Sequence, residues 1–123
     1  CVFYLGKKFN DDKYDVFHNS DIFILPTFYH NECFPLVLLE ASQFGLPLVS
    51  TNEGAISEII NDGVNGFLVP QKDHKSLADK LLILINDKNL RIKLGEEAYK
   101  KYKNEYTLSK FENNMCAILK SII

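Results

Sequence analysis

Residues 22–50, IFILPTFYHNECFPLVLLEASQFGLPLVS, contain the strongest signal for the fold of the chain. An apolar run at residues 22–25 is followed by a polar loop, a helical segment at residues 36–44 and a second apolar run at residues 48–50. Both apolar runs are nearly continuous rather than alternating, which is typical of strands buried on both faces of a parallel sheet. A glycine and then a proline end the helical segment. These residues therefore predict a strand, a crossover helix and a parallel second strand.

The alternation of strands and helices continues on both sides of this unit. Apolar runs at residues 2–5 and 67–69 predict two further strands. Helical segments at residues 12–19 and 56–61 lie between the strands. Strands that alternate with helices in this way favour an α/β fold, which we predict to be a Rossmann-like parallel sheet flanked by helices.

Beyond Pro70 the pattern is helical and amphipathic. We predict that residues 1–123 form a single, partial domain whose C-terminal helices begin near residue 75. An apolar stripe on the last helix is expected to be a packing face rather than a cofactor site. Its members are Leu108, Phe111, Met115, Ile118, Leu119 and Ile122.

Composition limits the classes of protein to which the chain can belong. The 123 residues include 14 Lys+Arg and 16 Asp+Glu, a formal net charge of −2, and 46% are hydrophobic. This composition excludes a disordered chain and lacks the basic excess that is typical of nucleic-acid-binding proteins. The apolar runs are too short to span a bilayer. Because the chain starts inside an apolar run and without Met, we expect a cut through a longer domain.

Three cysteines are present, at positions 1, 33 and 116. Their odd number and wide spacing fit neither a disulfide framework nor a CxxC metal site. We therefore expect reduced thiols, a cytoplasmic location and no metal site.

The polar loop and the helix after it form the candidate site. A strand, a loop and a helix N-terminus together offer free backbone N–H groups to an anion at the carboxyl edge of a parallel sheet. Glu32 lies in the loop and Glu40, eight residues later, lies in the helix. The helix is apolar nearly all round, so we expect Glu40 to be buried and satisfied by ribose hydroxyls, a lysine or backbone donors. A glycosidase acid–nucleophile pair fits this spacing less well than two carboxylates that hold two ends of one ligand.

Residues 32–41, ECFPLVLLEA, resemble the E-x7-E motif of GT-B glycosyltransferases, particularly the family 4 or "group 1" enzymes. In that family the motif commonly reads EGFGLxxLEA. Further blocks resemble the family in the same order: VFYLG at 2–6, SDIFILPT at 20–27, ASQFGLPLVS at 41–50 and NGFLV at 65–69. The resemblance covers about residues 2–110. It implies the truncated C-terminal, donor-binding half of a GT-B enzyme.

The resemblance also implies a role for each residue of the site. Glu32 would be the catalytic residue that contacts hydroxyls of the donor sugar, and Glu40 would hydrogen-bond the ribose. The other residues implied to bind the donor are Cys33, Phe34, Pro35, Leu36, Val37, Leu5, Gly6 and Lys7. Within this set, the N–H groups of Leu36 and Val37 would meet the diphosphate, and residues 5–7 would lie near the base. Cys33 and Pro35 stand where the family usually has glycines.

The implied activity is transfer of a sugar, with retention, from a UDP- or GDP-sugar to a polysaccharide or glycolipid acceptor. No metal ion or other cofactor would take part. The implied partners are the donor, a missing N-terminal domain of the same enzyme and, through the unpaired first strand, a second copy of the chain. The full-length enzyme would be bacterial and cytoplasmic, peripheral at the inner membrane face, and this part alone would be inactive. The alternatives are a GT-B nucleotide-sugar epimerase and a non-enzymatic α/β binding module.

Overall fold

Three short parallel strands lie side by side in chain order in the computed structural model, which describes residues 1–123. They are β1 (Phe23–Leu25), β2 (Leu48–Thr51) and β3 (Gly66–Val69). Val49 in the central strand lies opposite Ile24 on one side and Phe67 on the other. All four residues of β2 are buried because the strand has a neighbour on each side and a layer of helices on each face. The predicted parallel sheet is therefore confirmed for three of the four strands.

The chain has six helices. They are α1 (Asn10–His18), α2 (Leu36–Gln43), α3 (Ile56–Ile59), α4 (His74–Asn86), α5 (Lys88–Glu105) and α6 (Leu108–Ile122). Helix α2 connects β1 to β2 and α3 connects β2 to β3, so each pair of neighbouring strands is joined through a helix, as parallel strands require.

The core lies on both faces of the sheet. On one face, Leu48 of β2 packs with buried residues of α1, α2, α3 and α5, including Phe17 and Leu38. On the other face, Val49 packs with Leu84 of α4 and Leu94 of α5. Because neighbouring side chains of a strand point to opposite faces, the two apolar residues at the start of β2 belong to two separate clusters. This is the reason that the strand reads as a continuous apolar run.

Helix α5 crosses the C-terminal end of α2 at a contact between two glycines. A Cβ atom on Gly95 would lie 1.9 Å from the carbonyl oxygen of Gly45, so only glycine fits at this point of α5. The contact brings α5 against the chain segment that leads into β2.

The predicted first strand is absent from the sheet. Residues 2–5 form no strand and are exposed, with Val2 at 99% of its full exposure. A strand needs a neighbour to bond its N–H and C=O groups, and this segment has none within the chain. The segment does not pair with β1, the nearest strand along the chain, and pairing with a second copy stays a prediction.

The apolar stripe of the last helix is uncovered in this chain, so its role as a packing face stays a prediction. Every residue of α6 is exposed, and the six apolar residues of its stripe range from 41% to 76% exposed. The helix contributes no residue to either core cluster, so its apolar stripe has no buried packing partner here. None of the helices has the length and apolar character needed to cross a membrane.

Replacing Gly95 with alanine tests the contact between α5 and Gly45. A glycine-to-alanine change inside a helix ordinarily gains about 1 kcal/mol. Here the added methyl group overlaps a backbone oxygen, so we expect a net loss of about 1–3 kcal/mol in the free energy of unfolding. Urea denaturation measures it, with Asn104→Ala at an exposed position of the same helix as the control, for which no loss is expected. Stabilisation by Gly95→Ala would contradict the packing described.

Candidate functional site

The loop after β1 and the loop after β2 meet at the carboxyl edge of the sheet. The N–H of Ala55 donates to the carbonyl oxygen of Cys33 at 2.8 Å. Beside this bond, Gly54 has a φ of +52°, and a Cβ atom there would lie 1.8 Å from the carbonyl oxygen of Glu32. Glycine is therefore required at position 54 both for its backbone conformation and for the approach of the two loops. The contact fixes the part of the first loop that carries Glu32.

Buried hydroxyl groups at the end of β2 also hold the first loop. Ser50 donates from its hydroxyl to the carbonyl oxygen of Leu25 at 2.6 Å, and Thr51 donates to the carbonyl oxygen of Thr27. Both residues are buried. The sequence analysis did not identify Ser50, Thr51 or Gly54 as site residues. Hydroxyl side chains at the end of a buried strand could have indicated hydrogen bonds to a neighbouring loop.

Backbone N–H groups on both sides of Pro35 have no acceptor within the chain. No hydrogen bond is donated by the amides of Cys33, Phe34, Leu36 or Val37. Pro35 is the N-cap of α2 and has no side-chain oxygen to accept a cap hydrogen bond, and the first turn of the helix has no acidic residue. Helices α4, α5 and α6 differ, since Asp73, Asp87 and Thr107 cap them with side-chain oxygens. The α2 N-terminus is thus free to meet an anion.

Glu40 lies one turn into α2 and is half-buried rather than buried as expected. Its side chain is 31% exposed, and its Oε1 accepts a hydrogen bond from Nζ of Lys13 in α1 at 2.6 Å. A lysine is thus the partner that satisfies this carboxylate in the structure, one of the three kinds of partner expected. The hydrogen bond to Glu40, aided by its negative charge, raises the pKa of Lys13 above its ordinary value, so the ammonium stays charged at neutral pH.

Glu32 lies in the loop with its carboxylate unpaired. Its N–H donates to the carbonyl oxygen of Tyr29 at 2.9 Å, but no hydrogen bond or salt bridge involves its side-chain oxygens. The carboxylate precedes the free amides of Cys33 and Phe34 in the chain. The structure therefore places Glu32 in the same loop as the uncapped end of α2, as the sequence predicted.

An aromatic contact supports the loop from α5. The ring of Phe34 lies 5.9 Å from the ring of Tyr106, whose hydroxyl donates to the carbonyl oxygen of Glu58 at 2.9 Å. Burial and the negative charges of Glu105 and Glu58 raise the pKa of Tyr106, which keeps its hydroxyl protonated and able to donate. Sequence reasoning missed Tyr106, because nothing in the local pattern links the end of α5 to a loop 72 residues earlier.

Leu5, Gly6 and Lys7 are not joined to the rest of the predicted site. All three are exposed in the segment that precedes α1, and no hydrogen bond or salt bridge connects them to the loop that carries Glu32. Leu5 instead lines a shallow pocket against α1 that includes Lys8 and Asp12.

The early part of the first loop borders a cavity of about 420 Å³. It is lined by Thr27, Phe28, Tyr29, His30 and Lys72. The ammonium of Lys72 lies 5.2 Å from the ring centroid of Phe28 and covers part of this surface.

Comparison with known families identifies the chain. The family model described as "Glycosyl transferases group 1" matches residues 1–101. The chain belongs to the group 1 glycosyltransferases.

Curated relatives of this glycosyltransferase chain are much longer than the chain itself. A capsular polysaccharide biosynthesis glycosyltransferase, CapM of Staphylococcus aureus, is 36% identical over 97 residues, which cover 78% of this chain and 25% of CapM. The N-acetyl-alpha-D-glucosaminyl L-malate synthase of Bacillus anthracis is 34% identical over 115 residues, or 90% of this chain and 29% of that enzyme. The chain thus spans less than a third of the length of these two relatives.

Solved glycosyltransferase structures share the fold. HepE from Anabaena, in complex with UDP, superposes with a TM-score of 0.84 at 22% identity over 91% of this chain and 30% of HepE. The C-terminal domain of LpcC from Francisella tularensis, a group 1 family protein, has a TM-score of 0.73 at 32% identity over 85% of this chain and 53% of that chain. The predicted GT-B glycosyltransferase fold is confirmed.

Replacing Gly54 with alanine tests whether the two loops of this glycosyltransferase site depend on their backbone contact. Gly63 is a matched control, because its φ of +76° is also left-handed but a Cβ atom there would meet nothing within 4 Å. Gly63→Ala should lower the free energy of unfolding by about 1 kcal/mol, because alanine is strained in a left-handed backbone conformation. Gly54→Ala should lose about 1–3 kcal/mol more in urea denaturation, because its methyl group overlaps Glu32. Equal losses in the two variants would show that the loops do not need this approach.

Proposed function

We propose that the chain supplies the donor-binding half of an enzyme that transfers a sugar, with retention, from a nucleotide-diphosphate sugar to a polysaccharide or glycolipid acceptor. The observation that carries the proposal is the uncapped N-terminus of α2 with Glu40 one turn further along the same helix. The two features match the two parts of a nucleoside diphosphate, an anionic group and a ribose.

The free amides of Leu36 and Val37 would bind the diphosphate. A helix N-terminus carries partial positive charge, and unpaired N–H groups point outward from it. Pro35 at the N-cap loses no donor that the helix would use, because the first N–H groups of a helix are unpaired in any case. The charge of the diphosphate would be met by amides and the helix dipole, so we propose a reaction without a metal ion or other cofactor.

Glu40 would accept hydrogen bonds from the ribose. Leu36 and Glu40 are four residues apart, so they lie on the same side of α2, about 5–6 Å apart along the helix. This is a suitable separation for contacts to a phosphate and to the hydroxyls of the attached ribose. In the structure only one oxygen of Glu40 is engaged, by Lys13.

Glu32 would contact hydroxyls of the donor sugar and act as the catalytic residue. Its unpaired carboxylate precedes the amides of Cys33 and Phe34, which also lack acceptors within the chain. These groups would line the sugar, while the Cys33 carbonyl already accepts the N–H of Ala55. Leu5, Gly6 and Lys7 would reach the base only if the segment before α1 moves, because nothing ties it to the loop here.

Similar proteins support the donor and the class of acceptor. Structures of HepE contain UDP in one case and UDP-glucose in another. CapM is named for capsular polysaccharide biosynthesis, and a Campylobacter jejuni relative, 33% identical over 98 residues, is a transferase whose acceptor is a diphospho-undecaprenol lipid. We propose a UDP- or GDP-sugar donor and a cytoplasmic reaction, at the inner membrane face where the acceptor is a glycolipid. Three exposed, unpaired thiols fit this reducing location.

Calorimetric titration with UDP and UDP-glucose separates the roles of the two carboxylates. Glu40→Gln should lower the affinity for both ligands by about 10-fold or more, because a hydrogen bond to a charged group is lost in each complex. Glu32→Gln should weaken UDP-glucose by a similar factor and leave UDP unchanged, because only the sugar reaches it. If the chain binds GDP rather than UDP, the same titrations are made with GDP and a GDP-sugar.

Glu97→Gln is the control, since Glu97 also pairs with a lysine but lies on α5. Unchanged UDP affinity in Glu40→Gln would contradict the ribose assignment. Consumption of the donor without acceptor and without release of nucleoside diphosphate would favour the epimerase alternative.

A further inference from the structure

The ion pair between Lys13 and Glu40 joins two helices at the proposed ribose site. Nζ of Lys13 lies 2.6 Å from Oε1 of Glu40, and the two side chains are similarly exposed, at 32% and 31%. The partners are 27 residues apart in the sequence, so the pair is a tertiary contact between α1 and α2. An ion pair this exposed contributes little to folding stability. Its significance therefore lies in its position beside the proposed ribose site rather than in its contribution to stability.

Aromatic packing holds α1 where Lys13 faces Glu40. The buried ring of Phe17 stacks on Phe44 at 5.5 Å, and the ring of Tyr14 lies 5.9 Å from the same partner. Both contacts join α1 to the C-terminal end of α2. Lys13 lies four residues before Phe17, so it is on the same side of α1. The packing of these rings therefore fixes the position of α1, and with it the position of the Lys13 ammonium beside Glu40.

The pair leaves hydrogen-bonding capacity free on both partners. Oε2 of Glu40 has no partner, and Nζ of Lys13 uses one of its three N–H donors on Glu40. Two adjacent ribose hydroxyls donate to a carboxylate most favourably when it is ionised and fixed in orientation. Without the lysine, a half-buried carboxylate beside apolar neighbours would turn toward water and would have to be ordered when the nucleotide binds.

We propose that Lys13 is a positioning residue for nucleotide recognition, which holds the Glu40 carboxylate in the orientation that accepts hydrogen bonds from the 2′- and 3′-hydroxyls of the donor ribose. The inference rests on the proposed function, because it assumes that Glu40 binds the ribose. It adds a residue from outside the E-x7-E segment to the recognition of the donor. It also explains why a lysine stands on the face of α1 that packs against α2.

Titration calorimetry with UDP and with 2′,3′-dideoxy-UDP tests the proposal. Lys13→Met should lower the affinity for UDP by about three- to fivefold, which is the effect expected from the loss of one partly exposed charge contact. The same variant should bind dideoxy-UDP as the wild type does, because that ligand lacks the hydroxyls that Glu40 accepts. In a chain that already carries Glu40→Gln, Lys13→Met should not lower the affinity for UDP any further. Lys13→Arg keeps a charge at this position and should retain UDP affinity within about twofold.

Lys100→Met is the matched control, because Lys100 pairs with Glu97 at 2.5 Å on α5 and lies outside the site. It should leave the affinity for UDP unchanged. Melting temperatures of all variants show whether each is folded, and if Lys13→Met does not fold, the comparison rests on Lys13→Gln.

Three results would overturn the inference. Equal weakening of UDP and dideoxy-UDP would mean that Lys13 acts only as a charge that attracts phosphate. Unchanged or tighter UDP binding by Lys13→Met would mean that the lysine is irrelevant or competes with the ribose. In either case, weaker UDP binding by Glu40→Gln would leave the proposed function standing. If the wild-type chain bound neither UDP nor GDP, the proposed function would fail and the inference would fail with it.

Discussion

Parallel pairing of the central strand with both of its neighbours is the constraint on which the rest of the structure depends. Because β1, β2 and β3 run in the same direction, their carboxyl ends lie at one edge, and the loops after them are forced together. The buried hydroxyls of Ser50 and Thr51 and the glycine at position 54 then determine how closely the loops approach. These contacts fix the loop that carries Glu32 and leads into the N-terminus of α2, which is uncapped because Pro35 has no side-chain oxygen. Donor recognition would therefore combine backbone amides of this loop with the side chains of Glu32 and Glu40.

The second constraint is the docking of α1 and α5 against α2. Glycine at position 95 lets α5 reach the end of α2, and stacked aromatic rings hold α1 beside it. Tyr106 at the end of α5 then reaches Phe34 in the site loop, and Lys13 of α1 reaches Glu40. The helices that cover the sheet thus also support the two ends of the proposed donor site. Helix α6, by contrast, takes no part in this core, since all of its residues are exposed.

Local patterns in the sequence predicted the parts of the fold that depend on short-range signals. Continuous apolar runs located β1, β2 and β3, and the glycine–proline stop located the end of α2, because burial on two faces leaves a direct mark on the sequence. The same reasoning placed a strand at residues 2–5, where the pattern is right but no neighbouring strand exists to pair with it. It identified Glu32, Glu40 and the α2 N-terminus, but not Lys13, Gly54 or Tyr106. Those residues reach the site from other elements, and such tertiary contacts leave no local periodicity to read.

Binding of the donor diphosphate at the uncapped N-terminus of α2 can be observed directly in a two-dimensional ¹H–¹⁵N NMR titration of the chain with UDP or GDP. We expect the amide signals of Leu36 and Val37 to shift most, because their free N–H groups gain a charged acceptor, and smaller shifts to appear around Glu40. Shifts confined to Phe28, Tyr29 and Lys72, which line the loop cavity, with unchanged signals from Leu36 and Val37, would show that the diphosphate does not bind at this helix end.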